Sequence, residues 1–203
     1  YSLKKTNKSV GQICILKNKK TLIFFDHGEP PKKKFSDSYQ SGPLSFEYYL
    51  DNKKIITNCG YGNKISKKAE LISRLTSAQS TVTINDTSVT RFERNKIINT
   101  AFGTSIKSSF KIKDYNYQED SNSVSVSAKH NAYQDNFGLI HSRNIILEKK
   151  EGNLYGEDNL LSIKDNGLTN SYNIRFHLYP GITPVQTLGG TSILIPIEKN
   201  KSL

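Results

Sequence analysis

The chain predicts an all-β protein, an antiparallel sandwich of two sheets in the manner of a jelly roll with little helix. Three observations carry that expectation. Short runs of β-branched and aromatic residues recur along the whole length, polar turn signals separate them, and no long stretch repeats apolar residues with a period of 3.6. The strictest pattern is Ser123-Val124-Ser125-Val126-Ser127-Ala128, whose alternation marks a strand with one buried face.

In chain order, Gln12–Leu16 and Thr21–Phe25 flank the polar turn Lys17–Lys20 and predict a hairpin. Asp26-His27-Gly28-Glu29-Pro30-Pro31 and the lysines after it predict an exposed loop, because proline cannot donate to a ladder. Leu44, Phe46, Tyr48 and Leu50 alternate with smaller or more polar residues; a turn over Asp51–Lys54 then returns the chain at Ile55-Ile56-Thr57. Lys67–Arg74 reads as a short helical turn, and Thr81–Ile84 as a strand turned by Asn85-Asp86. The segment Arg91–Gln118 reads as an irregular excursion. Asn144–Glu148 predicts a strand ending in the turn Lys149–Asn153. Tyr172–Leu178 predicts a strand with Tyr172, Ile174, Phe176 and Leu178 on one face, and Ser192–Ile195 a last strand closing the sheet.

Composition narrows the function. The 203 residues carry 29 Lys and Arg against 18 Asp and Glu, a formal charge of +11. Lysine supplies nearly all of it, with 24 Lys to 5 Arg. Arginine is the preferred reader of phosphate and base edges, so its scarcity argues against nucleic acid, and diffuse lysine charge suits an acidic polysaccharide better. No run of 18 apolar residues is present to span a membrane as a helix. Cys14 and Cys59 read as reduced core thiols and have no metal-ligand spacing. The absence of Met predicts a domain cut from a longer protein, as a single sandwich over 1–203.

The stretch from Ser38 to Gly60, with Ala78-Gln79-Ser80-Thr81 after it, resembles the C-terminal β-sandwich of heparinase II/III-like polysaccharide lyases. That family's pattern is His-x-His-x-Asp-x-Leu-Ser-Phe, then Asp-x-Gly, then His before Ser/Asn-Thr. Aligned on Leu44-Ser45-Phe46, its first histidine falls on Ser38 and its three zinc ligands on Gln40, Asn58 and Gln79. All four positions are exchanged, three of them for amides. Further along, Lys129-His130-Asn131-Ala132-Tyr133 and Gly138-Leu139-Ile140-His141-Ser142-Arg143 are similar to two more family segments; Gly156-Glu157-Asp158 resembles a Gly-x-Asp turn, and Phe176-His177-Leu178-Tyr179-Pro180 a strand end.

The resemblance implies β-elimination of a uronate polysaccharide in a cleft, with the catalytic Tyr, Asn and His supplied by an N-terminal α-helical toroid of the same protein. It marks His130, Tyr133, His141 and Arg143 as candidate substrate-binding residues and Ser38, Gln40, Asn58 and Gln79 as a degenerate site. An amide oxygen is a poor substitute for imidazole or carboxylate, so the zinc is expected to be absent and the three amides to bond one another. His27 could reach the place vacated at Ser38, or simply belong to its turn. The isolated domain is expected to be inactive, the alternative being a non-catalytic glycan-binding or structural module. The family suggests a bacterial periplasmic or secreted setting.

Overall fold

The computed structural model describes residues 8–203 except 96, 98, 101–102, 165–166, 168 and 199–200. Two antiparallel sheets face one another. The first begins with β1 (Ser9–Val10), β2 (Ile13–Lys17), β3 (Thr21–Asp26), β4 (Phe46–Leu50) and β5 (Lys53–Thr57). After a short helix α1 (Lys67–Ser73) and strand β6 (Val82–Ile84) come β7 (Ile112–Glu119) and β8 (Ser123–His130). A single helical turn α2 (Gln134–Phe137) leads into β9 (Leu139–Glu148) and β10 (Leu154–Ser162). The remaining strands are short: β11 (Tyr172–Ile174), β12 (His177–Leu178), β13 (Val185–Gln186), β14 (Ile193–Leu194), β15 (Pro196–Glu198) and β16 (Lys201–Ser202).

The larger sheet runs β1-β2-β3-β4-β5-β12 and the smaller β10-β9-β8-β7. Side chains alternate across a strand, so each sheet turns one set inward. Cys14, Leu16, Ile23, Phe25, Phe46, Tyr48 and Ile55 of the first sheet meet Val124, Val126, Ala128, Ile145 and Leu147 of the second in one core. A smaller core of Ile84, Val89, Phe110 and Tyr133 lies beside it.

The all-β expectation holds, with several corrections. The turn after β4 is Asp51-Asn52 alone, at φ 48° and 64°. Asp and Asn tolerate that left-handed geometry, and it matches strand twist, so Lys53 and Lys54 are free to join β5. Leu44 lies outside β4 with φ 58°, its side chain fully buried. Arg91–Gln118 contains most of β7, which its polar sequence concealed because much of that edge strand faces water. Gly156–Asp158 is mid-strand in β10, not a turn. Tyr172–Leu178 is broken at Arg175-Phe176: β11 pairs with β6 and β12 with β5, leaving Tyr172, Ile174 and Phe176 exposed. Ile193–Leu194 pairs only with β13, outside both main sheets. Both cysteines are free thiols, but Cys59 is exposed.

The long connections between strands are organised by Arg74 at the end of α1. Its side chain is fully buried, and its three guanidinium nitrogens donate to the carbonyls of Ser36, Tyr39 and Thr104 at 2.7, 3.0 and 2.7 Å. It also stacks over Phe92 at 4.7 Å. One cation thus fastens the loop before β4 to the excursion before β7. Replacing it strands three carbonyls, each worth about 1–3 kcal/mol when left unsatisfied. Arg74→Met is therefore expected to lower the unfolding free energy by about 3 kcal/mol or more, read from the urea midpoint at unchanged m.

Candidate functional site

β8, β9 and β10 place the candidate residues through their register. His130 lies opposite His141, and Arg143 opposite Asp158. All four point into the sandwich, since they share parity with the core residues Val126, Ala128 and Ile145. His130 and His141 are 1% and 0% exposed, Arg143 2% and Tyr133 0%.

The hydrogen bonds define one chain of donors. The Ala132 N–H donates to His130 Nδ1 at 3.2 Å, so His130 carries its proton on Nε2 and donates it to His141 Nδ1 at 3.0 Å. His141 in turn donates from Nε2 to Asp158 Oδ1 at 2.7 Å. Arg143 takes the same carboxylate in a fork, Nε to Oδ1 at 2.7 Å and Nη2 to Oδ2 at 2.9 Å. Its remaining nitrogen, Nη1, donates to the carbonyls of Leu44 and Ser80, both at 2.9 Å. Tyr133 donates to the Val82 carbonyl at 2.9 Å, and its ring lies 5.5 Å from that of His130.

The electrostatics follow. Burial pushes the His130 pKa well below the usual imidazole value, with His141 and Arg143 adding to the fall. His141 is lowered as well, chiefly by burial, although Asp158 works against the shift. Desolvation acts to raise Asp158, but the bonds from His141 and Arg143 outweigh it and hold the carboxyl at about 2. The arrangement is two neutral imidazoles leading to one ionised carboxylate, whose charge is matched by one guanidinium.

The positions aligned on the metal site lie at the Leu44 and Ser80 end of this network. Asn58 donates from Nδ2 to Ser45 Oγ at 3.2 Å and accepts the Ser80 N–H on Oδ1 at 2.8 Å. Gln79 is buried and donates to the Ser73 carbonyl at 2.9 Å. A Cβ on Gly42 would come within 3.0 Å of both Gln79 Cγ and Ser45 Oγ, so the glycine lets these groups close up. Gln40 is half-buried, Ser38 is exposed, and no hydrogen bond among the described residues joins the three amides directly. The buried Gln79 and the half-buried Asn58 bond backbone or serine instead. Among the described residues no group of three His, Cys, Asp or Glu could hold a metal. His27 lies elsewhere, stacked on Tyr115 at 4.2 Å.

Asp158 is the functional-site residue that local patterns missed. The turn Lys149–Asn153 was legible, and counting back along a hairpin from it puts Asp158 opposite Arg143. The Arg143–Asp158 end also forms part of a groove of about 410 Å³ walled by Phe46, Ile56, Ile174 and Phe176.

The fold is an antiparallel β-sandwich whose smaller sheet carries a buried charged cluster, and comparison with known proteins gives its family. The chain matches the model of the heparinase II/III-like C-terminal domain over residues 8–202, and it belongs to that family. It is 26% identical over 180 residues to FtsZ-localized protein C of Caulobacter vibrioides, covering 85% of this chain and 31% of that one. Among solved structures it resembles the heparan sulfate lyase HepC of Pedobacter heparinus, with a TM-score of 0.66 at 14% identity over 90% of this chain and 25% of the enzyme. A heparinase III structure gives 0.62 at 14% identity over 90% and 25%. The chain thus spans less than a third of the length of each.

Two predictions follow from the buried cluster. Asp158→Asn removes the counter-charge of a buried guanidinium and is expected to destabilise the fold by about 3–5 kcal/mol in urea unfolding. The second concerns pH. Both imidazoles bind protons less readily folded than unfolded, so their stabilising effect is complete above pH 6.5 and is lost as pH falls below it. Asp26 acts in the opposite sense. Desolvation raises its carboxyl from 3.8 to about 7 against the Gly28 N–H bond, so its contribution declines as pH rises through that window. With two imidazoles set against one carboxyl, the urea midpoint is expected to fall on acidification below pH 6.5. Asp26→Asn, which keeps the oxygen that Gly28 bonds, is expected to steepen that fall and to raise the midpoint near about pH 8.

Proposed function

We propose that this domain forms one wall of the cleft of a heparinase II/III-like protein acting on an acidic, uronate-containing polysaccharide, and that it does so without zinc. The observation that carries the reading is the donor set at the metal positions. Gln40, Asn58 and Gln79 offer only neutral amides, and the Asn58 oxygen is already occupied by the Ser80 N–H. Zinc requires thiolate, imidazole or carboxylate. Asn58 instead helps tie the end of β5 to the Ser80 segment, the task a metal would otherwise perform.

The reaction is β-elimination. A base takes the proton beside the uronate carboxylate, electrophilic groups stabilise the charge that develops there, and an acid protonates the departing glycosidic oxygen. In this reading those groups come from a helical domain of the same protein. His130 and His141 serve structure, because burial and a closed set of hydrogen bonds keep them from a polymer. The lysine-rich surface contributes long-range attraction for the polyanion. A periplasmic or secreted setting, where such polymers are met, goes with this reading.

A second reading is a glycan-binding or structural module in a relative that no longer cleaves. Two observations favour it: Ser38 where the family carries its first histidine, and a similar protein whose name ties it to FtsZ rather than to a lyase.

Full-length protein incubated with uronate polysaccharides is expected to release unsaturated uronate, followed by its ultraviolet absorbance. Binding without product would establish the second reading. Metal analysis of the purified protein is expected to give substoichiometric zinc, and chelator to leave its melting temperature unchanged; one zinc per chain would overturn the metal-free assignment.

A further inference from the structure

The outer face of the β10-β9-β8-β7 sheet, turned away from the core and from the larger sheet, has a composition unlike the rest of the surface. Its outward residues fall into cross-strand rows. One row is Gln118, Ser125, Ile146 and Tyr155; the next is Asn116, Ser127, Asn144 and Glu157. Strand spacing of about 4.8 Å and an outward repeat of about 6.8 Å along each strand arrange these groups on a regular grid.

Among the described residues, the side chains of Asn116, Gln118, Ser125, Ser127, Asn144 and Asn159 make no hydrogen bond. Each presents both donors and acceptors, or a hydroxyl that is either. The face is nearly neutral in a chain of charge +11: Lys129 is paired with Asp114 at 3.0 Å, Lys113 lies opposite Lys129, and Glu148 and Glu157 bring negative charge. At one end Ile146 and the half-exposed ring of Tyr155 stand side by side, a small apolar step beside the polar grid.

We propose that this face is a docking platform for a neutral glycan, separate from the cleft and from its acidic substrate. A polyol matches the grid in kind, since every sugar hydroxyl both donates and accepts, and the C–H face of a pyranose packs against an aromatic ring such as Tyr155. Charge matching points the same way: Lys113 and Lys129 set against Asp114, Glu148 and Glu157 leave no excess positive charge for a polyanion. A protein partner fits poorly, because the face lacks the Arg, Met and Trp content of an interface centre. The rest of the basic surface handles acidic polymer; this face handles uncharged polymer, so the two activities are independent.

Affinity electrophoresis of the full chain through gels containing a neutral β-glucan, an N-acetylated β-glycan or heparin tests this. Retardation by at least one neutral glycan is expected, and it persists at about 0.5 M salt, where ionic contacts are screened. Asn144→Leu and Tyr155→Ala are each expected to weaken that binding by about tenfold without altering migration in heparin or thermal midpoint. No retardation by either neutral glycan, loss of binding in salt, or unchanged binding in both variants overturns the proposal. So does a concentration-dependent dimer in sedimentation that Asn144→Leu abolishes, which would make the face a contact between copies. Uronate cleavage by the full-length protein is scored separately, and neither of its outcomes bears on this face.

Discussion

The Arg143 guanidinium is the interaction on which the rest of the structure depends. It sits in the second strand of the smaller sheet, and each of its nitrogens has a fixed partner. Two bonds run sideways to Asp158 in the neighbouring strand, and two run across the sandwich to the carbonyls of Leu44 and Ser80. A buried cation is tolerable only when paired and fully bonded, so the surrounding sequence is constrained by it. Asp158 must be ionised. His141 must donate to it, and His130 must donate to His141. The backbone at Leu44 must present its carbonyl inward, which accompanies that residue's unusual positive φ.

The same group braces the backbone around the three aligned amide positions. In this chain the backbone on either side of the aligned metal positions is held by Arg143 through Leu44 and Ser80, and by Asn58 through Ser45 and Ser80. Ser80 Oγ adds a bond to the Thr57 carbonyl at 2.7 Å and receives the His177 N–H at 3.0 Å. Neutral hydrogen bonds that satisfy every buried group can hold strand ends together as a coordinated ion does, provided none is left unpaired. The amide substitutions are thus compatible with a well-packed sandwich. The local geometry around them is supported by these hydrogen bonds.

Charge is distributed by a different rule on each part of the surface. Inside, Arg74 and Arg143 are each surrounded by carbonyls or a carboxylate. Outside, many lysines extend into water, and several pair with single carboxylates, as Lys54 does with Glu47 and Lys111 with Glu29. Such exposed pairs add little stability. Their effect is on the field around the protein, which the net charge of +11 makes positive overall.

Sequence by itself determined the fold class, the β2–β3 hairpin, the β8 strand and the family. Period-2 alternation and turn chemistry are local properties, and the resemblance rests on residue types in order. It also determined that the metal positions carry amides, because donor chemistry belongs to the side chain itself. What lay opposite what was legible only by counting out from a recognised turn. Asp158 read as part of a turn until the register set it against Arg143, and β7 read as irregular because a register shift between Lys113 and Asn116 breaks the alternation of its two core-packed residues, Ile112 and Tyr117. The amides of Asn58 and Gln79 were expected to bond each other, and each found backbone or serine instead, since main-chain groups of a loop are placed by the whole fold. Burial was likewise a tertiary decision. His130 and His141 read in sequence as candidate substrate-binding residues, and only the closing of two sheets over them buries both rings and joins them by a hydrogen bond.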